Sequence, residues 1–206
     1  TQGDAPIHYT LDGSEPTAAS PRYTGPVEIG KSARFRATAL REGGENASYS
    51  REFAFSKSTG RPAVLNTKPN DSYTFEGASL LVDGYHSRPV FTSGAWLGYL
   101  DEPLDVTIDM GGEQSYRSVE LETLAEKGDW IFPPSSVTVW VSDNGTDFTE
   151  VASVTVPEAK AGDADGIGRY RMQFPETSAR YLKVVAQNAA AIPAWHPGAG
   201  SKGFLF

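Results

Sequence analysis

Residues 136–149, SVTVWVSDNGTDFT, decide the fold of this chain. Three valines alternate with Thr, Trp and Ser in the first half, which is the period-two pattern of a strand with one buried face. Asn144-Gly145 follows, and Asn-Gly is the preferred pair for a two-residue hairpin turn with positive φ at its central residues. Because Phe148 then restarts the apolar pattern, the stretch predicts a β-hairpin on which a sheet is built.

Similar alternation recurs along the whole chain. The segments that show it are 7–11, 33–40, 48–55, 105–110, 118–124, 136–142, 148–156, 168–174 and 180–187. The 206 residues include 21 glycines and 14 prolines, which leave little room for long helices. We therefore predict an all-β chain in which no helix exceeds two or three turns.

A change in composition near residue 60 predicts two domains. The stretch SKSTGRP, residues 56–62, is small, polar and rich in chain breakers, as linkers are. We predict a partial immunoglobulin-like domain at 1–56, a linker at 57–62 and a jelly-roll sandwich of about eight strands at 63–206. The first domain is called partial because it offers four strands at most, against about seven in a complete immunoglobulin-like sandwich.

Charge and composition exclude several classes of partner. The net charge is −8 and no cluster of Lys and Arg is present, so the sequence does not predict a nucleic-acid partner. No apolar run approaches the roughly 20 residues that a membrane span needs. The chain has no cysteine, and it starts without Met or a signal-like segment. We interpret it as a fragment of a bacterial protein exported from the cytoplasm.

Three motifs in the first part carry a resemblance. They are IHYTLDGSEPT at 7–17, SPRYTGP at 20–26 and RATAL at 36–40. This part resembles the small immunoglobulin-like domain that follows the catalytic barrel in bacterial chitobiases and β-N-acetylhexosaminidases. That domain is not known for catalysis, so the resemblance implies an accessory role.

The second part carries a different resemblance. Its motifs are LVDG at 81–84, DVTIDMG at 105–111, the hairpin at 137–148, ARYLKV at 179–184, and PAWHPGAG with FLF near residue 206. They are similar to discoidin-like jelly rolls, the fold of coagulation-factor type C domains and family-32 carbohydrate-binding modules. The last two resemble the final loop of such modules in bacterial hexosaminidases and galactosidases. The resemblance implies glycan binding through loops at one end of the sandwich.

Aromatic and polar residues outside the predicted strands are the candidate ligand-binding residues. Sugars present apolar C–H faces that stack on rings, while a neighbouring His or Arg takes the hydroxyl hydrogen bonds. The competing interpretation for each ring is core packing, because Trp is usually mostly buried. The candidates are Trp195 and His196 in the final loop, Trp130 and Trp96, with His86 and Arg88 as polar partners.

A calcium site is the one cofactor that the sequence suggests. Asp83 lies where many discoidin-like domains hold structural calcium, which takes six to eight oxygen ligands. Only one acid is certain there, so a plain Asp-Gly turn is the competing interpretation. For catalysis we find no convergent acid, base and nucleophile: Asp101-Glu102 is followed by Pro103 and lacks the surroundings of a catalytic acid pair.

The leading hypothesis is a non-catalytic C-terminal region of a β-N-acetylhexosaminidase-like glycoside hydrolase. In it the jelly roll binds N-acetylhexosamine or galactose-type glycans, and an upstream catalytic domain of the same chain is the other partner. The alternative is that both domains are structural spacers with no ligand.

Overall fold

The computed structural model describes residues 5–41 and 46–206 and divides the chain into two compact units. One unit comprises Thr1–Thr59 with Gly84–His86, and the other comprises Gly60–Asp83 with Ser87–Phe206. The division falls within the predicted linker, but the segment Gly84–His86 groups with the first unit. The exact domain boundary stays a prediction.

The first unit contains a three-stranded antiparallel sheet in the order β1-β2-β3. The strands are β1 (Ile7–Thr10), β2 (Ala33–Ala39) and β3 (Ala47–Phe53), at the three places where the sequence alternates. Tyr9, Phe35 and Tyr49 form an aromatic row on one face, with ring centroids 5.9 and 6.3 Å apart. The period-two pattern thus gave the strands of this unit correctly.

The second unit contains a five-stranded antiparallel sheet in the order β4-β5-β8-β6-β7. Its strands are β4 (Ala63–Leu65), β5 (Leu104–Ala125), β6 (Ser136–Ser142), β7 (Thr149–Thr155) and β8 (Gly166–Gln187). Helical structure in the described residues is limited to short 3₁₀ turns at Asp71–Tyr73, Gly77–Leu81, Phe91–Ser93 and Lys127–Asp129. The all-β prediction is therefore confirmed. No described helix is long and apolar enough to cross a membrane.

The hairpin of residues 136–149 forms as predicted, but its turn differs. The three valines of β6 are at most 7% exposed and lie in the main core. Asn144 has no positive φ, and only Gly145 does, at 77°. Instead the Asn144 Oδ1 accepts the backbone N–H groups of Thr146 and Asp147, both at 2.9 Å. The connection is therefore a longer loop ordered by the Asn side chain, rather than a two-residue turn.

Strands β5 and β8 correct a second prediction. The sequence predicts four separate strands here, whereas the structure has two continuous strands of 22 residues. Their pairing shifts register between Asp109 and Gln114 and again between Tyr116 and Ser118. Gly111 has a φ of 78°, a value that favours glycine, so the chain bends at this point without breaking the ladder.

An ion pair holds the bend. Arg180 donates from Nε and Nη2 to the two carboxylate oxygens of Asp109, at 2.9 and 2.8 Å. The Gly111 N–H donates to the same carboxylate at 2.8 Å. The Arg180 hydrogen bonds, followed by that of Gly111, lower the pKa of Asp109 to about 2.

The Asp109 carboxylate predicts a pH dependence of stability. Its pKa is lower in the folded chain, so its contribution is full above the unfolded value of 3.8 and is lost as the pH falls through about 2. We expect Asp109→Asn to lower the melting temperature by a constant amount between pH 7 and 5, with the difference shrinking below pH 4. Thermal melts of both proteins at matched pH check this. A difference that persists unchanged at pH 2.5 would contradict it.

Candidate functional site

Two loops of the second unit meet at the candidate site. One connects β5 to β6 and carries Trp130 and Phe132, and the other follows β8 and carries Trp195 and His196. The Phe204 N–H donates to the Trp130 carbonyl at 2.8 Å, and the Phe132 N–H donates to the Phe204 carbonyl at 2.9 Å. The backbone therefore fixes the first loop against the chain's last residues.

His196 is buried between these loops. It is 8% exposed, and both ring nitrogens are engaged. The Gly198 N–H donates to Nδ1 at 3.0 Å, so the proton of the neutral ring is on Nε2, which lies 2.9 Å from the Lys127 carbonyl and donates to it. Neither nitrogen is left for a sugar hydroxyl, which favours a supporting role, and direct ligand binding by His196 stays a prediction.

Three aromatic rings surround His196. Trp130, Phe132 and Trp195 lie at centroid distances of 5.8, 5.5 and 5.6 Å, with interplanar angles of 90°, 85° and 83°. Perpendicular contacts of this kind are favoured by the charge distribution of aromatic rings. His196 is thus held in place by its two hydrogen bonds, and both tryptophans pack against its ring. We call Trp130 and Trp195, with His196 and Phe132 beneath them, the tryptophan platform.

The two tryptophans of the platform remain accessible. Trp130 is 43% exposed and Trp195 39%. The Trp195 Nε1–H donates to the Ala159 carbonyl at 2.9 Å, which ties the ring to the loop between β7 and β8. Since that N–H is engaged, the exposed part of Trp195 offers ring surface rather than a polar group. A held and exposed indole is suited to stacking on the C–H face of a sugar.

Glycine makes the close packing under the platform possible. A Cβ on Gly198 would lie 2.8 Å from the Trp130 ring, and one on Gly203 would lie 2.7 Å from Phe132. Trp130 itself has a φ of 65°, a left-handed conformation that is unusual for a bulky residue. Sequence reasoning missed both glycines, although the glycine-rich stretch 198–203 next to Trp195-His196 is the signal that could have indicated close packing.

Trp96 does not belong to the platform. It is 6% exposed and packs in a second core cluster with Leu124, Ile131 and Phe206. Its Nε1–H donates to the Arg88 carbonyl at 2.8 Å. The ring is inside the protein and its polar atom is satisfied, which favours the packing interpretation, and ligand binding by Trp96 stays a prediction.

The polar candidates lie elsewhere. Arg88 is exposed, and its backbone carbonyl supports Trp96. His86 groups with the first unit, and the platform belongs to the second. Of the six predicted ligand-binding residues, the structure brings together Trp130, Trp195 and His196.

A pocket lies next to the platform. It has a volume of about 380 Å³ and shares Phe132 with the platform. Ala159, whose carbonyl holds the Trp195 indole, is also part of its wall. The lining residues are mostly Pro, Ala and other apolar types, from the segments 132–135, 156–159 and 189–194.

Charged groups near Trp130 are mostly acidic. The Lys127 ammonium pairs with Asp165, and its side chain is only 9% exposed. The hydrogen bond from Lys127 lowers the pKa of Asp165. Burial raises the pKa of Glu126, and the negative charges of Asp129 and Asp165 add to the effect. The positive charge of Lys127 is thus paired with Asp165 inside the protein, and the charged groups that face outward are carboxylates.

Asp83 does not fit a strong calcium site. Within residues 5–41 and 46–206, no three His, Asp or Glu side chains form a group that could hold a metal ion. Calcium would have to take nearly all of its six to eight oxygens from carbonyls and water. Calcium at Asp83 stays a prediction, in which this residue would supply one ligand of the set.

With so few ligands from acidic side chains, calcium should stabilise the folded protein only weakly. At a calcium concentration equal to the dissociation constant, binding adds about 0.4 kcal/mol of stability. For a protein of this size we expect 1 mM calcium, added after EDTA, to raise the melting temperature by no more than about 2 °C. A rise of 5 °C or more that Asp83→Asn abolishes would reveal a complete site and contradict the prediction.

Comparison with known families matches both parts of the chain. The Fn3 associated family matches residues 1–53. The F5/8 type C domain family matches residues 66–201, which contain the platform, the pocket and all of β5 to β8. No curated protein shows significant similarity to the chain.

Solved structures of carbohydrate-binding modules are similar to the chain over part of its length. CpGH89CBM32-5 from Clostridium perfringens, in complex with GalNAc-beta-1,3-galactose, is 16% identical, with a TM-score of 0.43 over 69% of this chain and 93% of that one. Chitosan-binding module 2 of a Paenibacillus sp. IK-5 chitosanase/glucanase, in complex with chitotriose, is 16% identical, with a TM-score of 0.44 over 73% and 94%. CBM32-3 from a Clostridium perfringens family 31 glycoside hydrolase is 15% identical, with a TM-score of 0.44 over 74% and 90%.

Proposed function

Because the chain belongs to the F5/8 type C domain family through residues 66–201, we propose that its second unit is a non-catalytic glycan-binding domain. The tryptophan platform is the binding surface. The observation that carries the proposal is the pair of indoles at Trp130 and Trp195, each about two-fifths exposed although the rings beneath them are buried. Two exposed indoles that pack on the same buried ring offer an apolar surface suited to stacking on a sugar.

The chemistry of the platform fits a neutral sugar ring. The exposed indole surfaces supply stacking, and Trp195 is held in place by its bond to Ala159 before any ligand arrives. Pre-ordering of this kind lowers the entropic cost of binding. One stacked sugar with two or three hydrogen bonds gives millimolar to high-micromolar affinity, about 4 to 6 kcal/mol. The first ligands to test are therefore glycans ending in N-acetylhexosamine or galactose.

Binding without catalysis is part of the proposal. In the acid pair at 101–102, the carboxylate of Asp101 accepts a hydrogen bond from the Lys202 ammonium at 2.5 Å, in an exposed ion pair. Most glycoside hydrolases use two carboxyl groups held at a fixed separation on either side of the bond. We propose that any hydrolytic activity belongs to an upstream catalytic domain of a β-N-acetylhexosaminidase-like parent, exported from a bacterial cell.

A substitution of Trp195 tests the proposal. We expect titration with N-acetylglucosamine or galactose oligomers to shift NMR signals of the platform loops, and Trp195→Ala to weaken binding at least tenfold. The melting temperature should change little, because the ring is 39% exposed and its removal opens no internal cavity.

Tyr49→Ala is the matched control. Tyr49 is an aromatic residue of the first unit that is 50% exposed, and we expect its removal to leave binding unchanged. If the parent protein shows no shift with any oligomer, the structural-spacer hypothesis replaces glycan binding. If Trp195→Ala unfolds the domain, the ring is a packing residue and the platform is not the site.

A further inference from the structure

The pocket beside the platform has an unusual composition for a sugar site. Of the side chains that line it, only Ser135 and Glu158 are polar. Four of the others are prolines, which have no backbone N–H to offer. Sites for neutral sugars normally carry several hydrogen-bond donors and acceptors among their apolar groups. This pocket offers few side-chain donors or acceptors, so its two polar side chains determine which ligands it can bind.

Both polar side chains act as acceptors. The Ser135 O–H already donates to the Asn188 carbonyl at 2.9 Å, so its oxygen keeps only lone pairs for a ligand. Glu158 is exposed, and its acidic side chain is an acceptor. No Lys, Arg or His lines the pocket. Among its side chains the pocket therefore offers acceptors, and a negatively charged ligand would meet no positive side chain.

The neighbouring loop has the same sign of charge. Between β7 and β8 it carries Glu158, Asp163 and Asp165 against the single base Lys160. Beyond the platform, the ammonium of Lys127 is already paired with Asp165. The surroundings of the two tryptophans are thus acidic, which attracts cations, and cations also interact favourably with indole faces.

We propose that the pocket is a subsite for a hexosamine with a free amine, held with its ring on Trp195 and its ammonium directed to the Glu158 carboxylate. The volume of about 380 Å³ lies in the range of small-ligand sites. The Pro and Ala walls contact the sugar's C–H groups, while the charge pair selects the deacetylated form. This inference rests on the proposed function, because the same Trp195 supplies the stacking.

Two matched oligomers test the subsite. We expect the glucosamine tetramer to bind about three- to tenfold more tightly than the N-acetylglucosamine tetramer at 20 mM NaCl, measured by NMR titration. At 300 mM NaCl the preference should fall to less than twofold, because salt screens an exposed ion pair. A trimer of galacturonic acid should bind more weakly than either tetramer.

Charge-neutral variants separate the pocket from the overall charge of the protein. Glu158→Gln should weaken the binding of the glucosamine tetramer to about the level of the N-acetylglucosamine tetramer, and so remove the preference. Glu113→Gln, an exposed glutamate on β5 outside the pocket, removes the same charge and should keep the preference. Trp195→Ala should weaken the binding of both tetramers.

Each other outcome overturns the subsite in a recognisable way. If the two tetramers bind the parent protein equally, the amine preference is refuted but the proposed glycan binding is not. An equal loss in Glu113→Gln and Glu158→Gln shows attraction by net charge and also refutes the subsite. If the galacturonic acid trimer binds as tightly as the glucosamine tetramer, the acceptor-only pocket is wrong. If no oligomer binds, the proposed function and the subsite fail together.

Discussion

Replacing His196 with alanine is expected to lower the free energy of unfolding of the second unit by about 3 kcal/mol. The change removes a buried ring from between three aromatic side chains, and the cavity alone costs a few kcal/mol in comparable sites. It also leaves the Lys127 carbonyl and the Gly198 N–H without their partner. For a unit of this size the melting temperature should fall by roughly 6 to 12 °C.

Three further substitutions separate ring packing from hydrogen bonding at His196. His196→Phe keeps most of the ring volume and loses both hydrogen bonds, so it should be destabilised by about 1–3 kcal/mol. His196→Asn retains an acceptor in the position of Nδ1, and His196→Gln retains a donor in the position of Nε2. Both should be more stable than His196→Ala. If His196→Phe is as stable as the parent protein, the two hydrogen bonds contribute nothing and the proposed role of the ring is wrong.

The same variants distinguish positioning from direct contact with ligand. His196 carries the two tryptophans but has no free nitrogen for a sugar. At a temperature where His196→Asn and His196→Gln are folded, each should lose sugar affinity in proportion to the displacement of Trp130 and Trp195, seen as changes in indole fluorescence. Unchanged fluorescence with lost binding would indicate a direct contact instead.

The strands were predictable from the sequence because one-sided burial imposes a period of two. Val137 and Val139 are completely buried, and Thr138 between them is not. The period-two pattern cannot distinguish the end of a strand from a bend within a strand. Between Asp109 and Gln114 the apolar alternation stops, but the ladder continues past a shift in register that only Gly111 makes possible. In β5, and again in β8, two predicted strands therefore form one continuous strand.

Burial of single loop residues was not predictable in this way. Trp195 and His196 are neighbours in the sequence, yet one is 39% exposed and the other 8%. Loops have no period that would assign their side chains to a face, so each outcome depends on contacts with residues far along the chain. Lys127, 69 positions from His196, supplies the carbonyl that fixes the ring. Trp96 is another example, since the hydrogen bond of its indole to Arg88 follows from no local pattern.

The packing beneath the platform also predicts a strong effect for a single methyl group. A Cβ at position 203 would lie 2.7 Å from Phe132 Cδ2, 3.2 Å from the Trp130 carbonyl oxygen and 3.3 Å from Ile192 Cγ1. Phe132 is only 2% exposed and contacts both Trp195 and His196, so a shift of its ring would disturb both contacts. We expect Gly203→Ala to destabilise the second unit by about 2 kcal/mol through overpacking.

Gly112→Ala is the matched control for Gly203→Ala. A Cβ at position 112 would meet no atom within 4 Å, so we expect a change within about 0.5 kcal/mol. Because Phe132 touches both Trp195 and His196, Gly203→Ala should also weaken sugar binding, whereas Gly112→Ala should not. Urea unfolding and sugar titration of both variants check these expectations. Equal stability of the two variants would mean that the loop at 203 yields to the methyl group, and that the rings of the platform are not held by tight packing from below.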